Sequence, residues 1–322
     1  MRFITRAALL LAAAIGLSSG AAPAQEYPAR PLRFIIPFPS GGSTDALGRT
    51  LGQKLAERWG QQVVIENRPG GNTLIGAGLA AKSAPDGVHA VHADRLHADD
   101  EPGAVFEAAL RSGEKLRAGD PVDAAVPAYR GEPAFPVKSL EERVDYARAN
   151  PGKVNYGTGA ITSQVAGELF KSMAGIDIVN VRYKGSASTQ QAVLTGDVEL
   201  AIGDIGPCLP HLKAGKRKAL AATAGNRAQS LPDVPTVDEQ GYPGYEVPFW
   251  YGLVVAAVTP KPIVDKLSAE VGAVLNRPDI EVRLATFGLE VNPTTPEEFA
   301  AVVKRESEKW GKAIHAAGIH PD

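Results

Sequence analysis

Two short stretches of this chain hold the residues best suited to chemistry. "PFPSGGSTD" (37–45) and "YGTGAITS" (156–163) each pass from an apolar segment through glycines and hydroxyl side chains into a helical pattern. At such a junction the first N–H groups of the helix lack an intrahelical acceptor, and the positive end of the helix dipole points the same way. The chemistry on offer is anion binding, a carboxylate or phosphate held by main-chain donors without a lysine. Ser40, Gly41, Gly42, Ser43, Thr44 and Asp45 make up the first turn; Gly157, Thr158, Gly159, Ala160 and Ser163 make up the second. One junction of this kind is an ordinary strand-to-helix turn. Two of them, in different halves of the chain, predict a shared anion cleft. Neither is a nucleotide motif: "GTGAIT" lacks the third glycine of G-x-G-x-x-G, and G-x-x-x-x-G-K-[ST] does not occur. Asp45 suits the start of its own helix. Asp204 ends a strand pattern and could accept an amine or hydroxyl from a ligand. No nucleophile–base pairing is visible, so no catalytic residue is expected.

A third cluster is denser. "DGVHAVHADRLHADD" (86–100) holds His89, His92 and His97, three of the six histidines in the chain. Their i, i+3, i+8 spacing is not a convincing ligand set, and no second cluster completes it. Cys208 is the one cysteine, which excludes an intrachain disulfide and a cysteine-based zinc site. No metal and no cofactor is expected. A metal-dependent hydrolase built on His89, His92 and His97 is the alternative, and tightly bound zinc or nickel would favour it.

The elements that must position these turns follow from periodicity. "PLRFIIPFP" (31–39) reads as a buried strand. The helix after it repeats Leu47, Leu51, Leu55 and Trp59 every four residues, one apolar face. A strand over 61–70 and a glycine-led helix over 71–87 continue the alternation. Strands are predicted over 154–159, 176–185, 198–205, 216–225 and 251–257. Helices are predicted over 139–153, 163–175, 186–197, 260–276 and 295–318, with Ser139 and Glu142 placed as a capping box. Strand–helix alternation predicts an α/β fold with a largely parallel sheet.

The N-terminus, "MRFITRAALLLAAAIGLSSGAAPAQ", has two arginines, an apolar run and an Ala22-Pro23-Ala24 ending. That is the pattern of a cleaved signal peptide over residues 1–24, which predicts export to the periplasm. The 322-residue chain is 44% hydrophobic with a net charge of −2, enough for a sizeable core and no reason to expect nucleic acid or an anionic membrane as partner.

The motifs "YPARP", "PFPSGGSTD", "VVIENRPGG", "APDG", "ANPGKVNYGTGAITSQVAGELF", "VRYKGSASTQQAVLTGDVELAIGD" and "LPDVPTVDEQGYPGYE" together resemble the tripartite tricarboxylate transporter substrate-binding proteins, the Bug receptors. The resemblance implies an α/β, two-lobed periplasmic binding protein type II fold. Residues 25–131 and 249–322 would form lobe 1 and 132–248 lobe 2, closing by a hinge on a small carboxylate. It implies that backbone amides of Ser40–Asp45 and Gly157–Ser163 hold that carboxylate. It further implies a non-enzymatic, monomeric receptor that serves membrane transport subunits or a sensor protein. The effector-binding lobe of a regulator shares this fold, but the leader and the lack of a helix-turn-helix segment argue against it.

The resemblance stops at Gly87 and resumes near Pro133. Permitted codons for residues 88–103, read one base later, give "YTLFMPTASTLTMNP", and the same shift carried to residue 120 continues "ALFSKLPYDPEKSFAPV". Both follow the continuation expected of the family. The segment at about 88–132 is therefore read as frameshifted, with a natural insertion as the alternative, and it is expected to be irregular or poorly packed.

Overall fold

The computed structural model describes residues 27–85, the strands 89–92, 115–118 and 122–125, and residues 139–256 and 258–317. The expected leader lies outside the described residues. Pro31–Asp322 belong to one unit, and both sheets of the protein lie within it.

Strand β1 (Leu32–Ile36) buries Leu32, Phe34, Ile35 and Ile36, as a strand covered on both faces must. Helix α1 (Ser43–Trp59) follows it and buries Leu47, Leu51 and Leu55, the four-residue spacing read in the sequence. It stops at Gly60, whose left-handed φ of 65° lets its N–H reach the Ala56 carbonyl at 3.0 Å. Strand β2 (Val63–Asn67) lies parallel to β1. A short helical turn (Gly71–Thr73) then leads into α2 (Leu74–Ala81).

The expectation of an irregular segment over 88–132 needs correction at three places. The backbone of β3 (His89–His92) lies between β1, to which it is parallel, and β10 (Trp250–Val254), to which it is antiparallel. Strand β4 (Lys115–Ala118) pairs antiparallel with β10 and with β11 (Leu289–Val291). Strand β5 (Val122–Ala125) pairs with β8 (Leu200–Ile202) and β9 (Lys218–Ala222). Neighbouring ladders supply backbone partners that alternation in the segment itself could not reveal. The rest of that segment lies outside the described residues.

The six-stranded sheet has the order β11-β4-β10-β3-β1-β2. With β6 (Val154–Thr158) and β7 (Ile178–Arg182), the second, five-stranded sheet has the order β7-β6-β8-β5-β9. The chain passes from the first sheet to the second between Ala118 and Val122, upstream of residue 131. It returns before Trp250. Pairing is parallel along β2-β1-β3 and β7-β6-β8, and antiparallel wherever β4, β5 or β10 takes part.

Helices α3 (Leu140–Ala149), α4 (Ile161–Ala174) and α5 (Ser186–Thr195) belong to the second sheet's half of the chain, followed by the short α6 (Leu209–Lys213). Helices α7 (Lys261–Leu275) and α8 (Pro278–Ala285) pack with α1 around Phe34, Leu51, Val274 and Leu284. The core of the second sheet gathers Val154, Tyr156, Phe170, Leu200 and Tyr245. Helix α9 (Pro296–Ala317) reaches both cores: Phe299 and Val303 pack with Ile35 and Trp250, whereas Trp310 packs in the second. Helices α6 and α8 and strand β11 are short, and the sequence patterns left them unmarked.

Candidate carboxylate site

Three helix starts meet at one small, narrow cavity. The first is that of α1, which brings Ser40, Gly42 and Thr44 to the wall, with Phe38 and Pro39 before them. The second is that of α4, which brings Ala160. The third is that of α5, which brings Lys184, Gly185, Ser186 and Ala187. Asp204 and the β10 residues Trp250 and Tyr251, with Phe249 just before them, complete the lining.

The caps of these helices explain why their ends stay open to a ligand. The residues before α1, α4 and α5 are Gly42, Ala160 and Gly185, and none makes a side-chain cap. The first intrahelical backbone bonds come from Ala46, Gln164 and Thr189, so the N–H groups one to three residues ahead of them have no intrahelical backbone acceptor. The starts at Thr73, Cys208, Pro260 and Arg277 also lack a side-chain cap, whereas two helices carry one. Ser139 Oγ accepts the Glu142 N–H at 3.1 Å, as the capping reading expects, and Thr295 Oγ1 accepts that of Glu298 at 3.2 Å.

Close glycine contacts bring the three starts together. A Cβ on Gly159 would lie 2.7 Å from both the Gly185 carbonyl oxygen and the Ser186 nitrogen, so α4 and α5 begin in backbone contact. Gly185 has φ +87°, and a Cβ there would sit 3.1 Å from Pro39 Cδ. Gly41, with φ +94°, faces Ala187, and Gly206 faces the Ser43 hydroxyl. The turn after β1 is thereby seated on the turns of the second sheet.

Asp204 sits at the centre of this junction. Its Oδ1 accepts from Ser43 Oγ at 3.0 Å and its Oδ2 from Ser186 Oγ at 2.7 Å. The Gly206 N–H and the Tyr251 hydroxyl also donate to it. Burial pushes the Asp204 carboxyl above its ordinary range, and the four donors oppose that shift.

The remaining sequence-predicted residues divide by where their polar atoms go. Asp45 is buried and accepts from Arg49 Nε (3.0 Å), Asn67 Nδ2 (3.0 Å) and the Gly41 N–H (3.1 Å). Burial alone would raise its carboxyl, but these bonds outweigh it and hold Asp45 below the usual range. Asn67 also donates to the Phe38 carbonyl at 3.1 Å, so Asp45 and Asn67 fix the shape of the first turn. Thr158 donates to Asn180 Oδ1 at 2.8 Å, and Gly157 is enclosed by Thr189, Tyr183 and Val198. Ser163 is buried, accepts the Ala160 N–H at 3.1 Å and donates to the Ala160 carbonyl at 2.7 Å. These groups shape the turns, whereas Ser40, Gly42, Thr44, Ala160 and Asp204 line the cavity.

The α5 start escaped the sequence reading, although "YKGSAST" (183–189) has the same glycine–hydroxyl character as the two turns that were read. The aromatic wall at β10 had no local signal. A second, larger cavity of about 330 Å³ lies beside the first and shares Phe38, Pro39, Ala160, Lys184 and Gly185 with it. It extends over Gly70, Gly71 and Thr73. Among the described residues no group of three or more histidine, cysteine, aspartate or glutamate side chains could hold a metal ion. The side chains of His89, His92 and His97 lie outside the described residues.

The sequence profile described as the tripartite tricarboxylate transporter family receptor, TctC, matches residues 47–319. This chain belongs to that family. BugT of Bordetella pertussis is 30% identical to it over 324 residues, covering 98% of each chain. Among solved structures, R. palustris Rpa4515 with adipate is 32% identical, with a TM-score of 0.80 over 92% of this chain and 100% of that one. MatC from Rhodopseudomonas palustris with bound malate is 26% identical, with a TM-score of 0.77 over 89% and 100%. The α/β periplasmic binding protein fold expected for this receptor-family chain is therefore the fold found. No helix among the described residues is long and apolar enough to cross a membrane.

Proposed function

We propose that this receptor binds a small carboxylic acid at the meeting point of α1, α4 and α5, and does so without catalysis. The observation that carries this reading is the convergence of three helix starts whose caps, Gly42, Ala160 and Gly185, offer no side-chain acceptor. A ligand carboxylate there takes the place that Ser or Asp side chains fill at ordinary helix starts. Adipate in Rpa4515 and malate in MatC support a dicarboxylate as the ligand class. Lys184 adds a cation to the wall shared by the two cavities, which suits a second carboxylate.

The two sheets would act as lobes that close on the ligand, with the chain exported through its leader. Delivery would be to the membrane subunits of a tripartite tricarboxylate-type transporter, or to a sensor protein. Residues 88–132 are read as the product of a shifted frame. The test is a thermal-shift screen of the purified mature chain against mono-, di- and tricarboxylates, amino acids and aromatic acids. At least one acid should raise the melting temperature in a saturable way. A screen with no stabilising acid would overturn the receptor reading.

A further inference from the structure

We propose that Asp204 draws the hydroxyl hydrogen of Ser186 away from the cavity, so that this oxygen only accepts hydrogen bonds and the site favours acids bearing a hydroxyl or ammonium group. The inference rests on the receptor reading above and narrows its ligand class.

A serine or tyrosine hydroxyl has one hydrogen to give, and an ionised carboxylate has none. Ser43 and Ser186, 3.0 and 2.7 Å from the two oxygens of Asp204, therefore act as donors to it. Tyr251 and the Gly206 N–H supply two more bonds. Four donors satisfy the acceptor positions of Asp204, which leaves it little capacity for the ligand. Ser43 is buried, but Ser186 and Tyr251 line the cavity. With its hydrogen committed to Asp204, Ser186 presents lone pairs there.

That arrangement divides the site by polarity. The N–H groups at the helix starts suit the ligand's carboxylate. The lone pairs of Ser186 repel a carboxylate but suit a donor carried close to it. An acid that puts only methylene against the Ser186 oxygen leaves it desolvated, which is costly. Asp204 acts through Ser186, as a positioning residue.

The test uses isothermal titration of the full mature chain at neutral pH with matched acids. The sets are succinate, malate and aspartate; glutarate, 2-hydroxyglutarate and glutamate; propionate, lactate and alanine. Within the set that binds, the hydroxyl or amino member should bind about tenfold more tightly than its parent, the worth of one well-placed hydrogen bond. In Asp204→Asn the amide must itself donate to a hydroxyl, which turns a hydrogen toward the cavity, and the ratio should fall to about twofold or less. If that variant does not fold, Ser186→Ala, which keeps Asp204 with its other donors, should lower the ratio in the same way. A parent acid that binds as tightly as its substituted partners overturns the proposal. So does a variant that weakens every member alike, the result of a merely structural Asp204. Failure of every set to bind would instead remove the receptor reading on which the proposal stands.

Discussion

The contact between Gly159 and the start of α5 offers the sharpest mechanical test of the site. A methyl group at residue 159 would lie 2.7 Å from the Gly185 carbonyl oxygen and 2.7 Å from the Ser186 nitrogen. Ordinary contact begins near 3.4 Å, and the Gly185 carbonyl carbon is nearer still, so the two turns must part by about 1 Å. All three atoms are main-chain, so no side chain can swing aside. Overpacking of this kind costs about 1–3 kcal/mol. At roughly 2–4 °C per kcal/mol for domains of 150–250 residues, Gly159→Ala should lower the melting temperature by about 2–12 °C. The displacement falls on the N–H groups of α5, so affinity for the stabilising acid should drop by about tenfold or more. Gly78 is the control, because a Cβ there meets nothing within 4 Å. Gly78→Ala lies within α2 and should be neutral or slightly stabilising, with binding unchanged. Calorimetric melts without ligand and titrations with it read the two effects separately. A Gly159→Ala protein with wild-type melting and affinity would refute the claim that these two starts are held in register by backbone contact.

Two further predictions concern acid stability and the coding sequence. Glu66 accepts from Arg33 at 2.6 and 2.8 Å and from Arg68 at 3.0 Å, and its carboxyl is held at about 2 against an ordinary 4.5. A depressed folded-state value stabilises above pH 4.5, and that stability fades as the pH falls toward 2. The gap in urea midpoint between wild type and Glu66→Gln should therefore be widest near neutral pH, worth no more than about 1 kcal/mol because solvent screens the exposed Arg33, and should close by about pH 2. An undiminished gap at pH 2 would contradict the assignment. Sequencing the gene should show that one base changed near codon 88 restores "YTLFMPTASTLTMNP" in frame. If no single-base change does so, the shifted-frame reading of 88–132 is wrong.

Much of the scaffold was legible because its signals are local. Leu47, Leu51 and Leu55 recur at the spacing of one helical face, and Ser139 caps its helix through a group three residues away. The strands over 89–92, 115–118 and 122–125 were not legible, because their partners β1, β10, β8 and β9 are far away in sequence and impose pairing on segments with little alternation of their own. The candidate site divides the same way. Asp45, Thr158 and Ser163 have residue types suited to ligand binding, yet each is turned toward a structural partner, Asn67, Asn180 or Ala160. Residue type does not show which way a side chain points.

The sequence by itself determined that this chain carries open helix starts after short strands, because a helix start is left open by its own few residues and by a cap without a side-chain acceptor. Folding decided which starts would meet, since Gly159 against Gly185 and Gly185 against Pro39 are contacts between distant turns. It also decided the direction of the hydroxyl hydrogens in the cavity. Ser43 and Ser186 come from separate parts of the chain, and folding sets the Asp204 carboxyl between their hydroxyls.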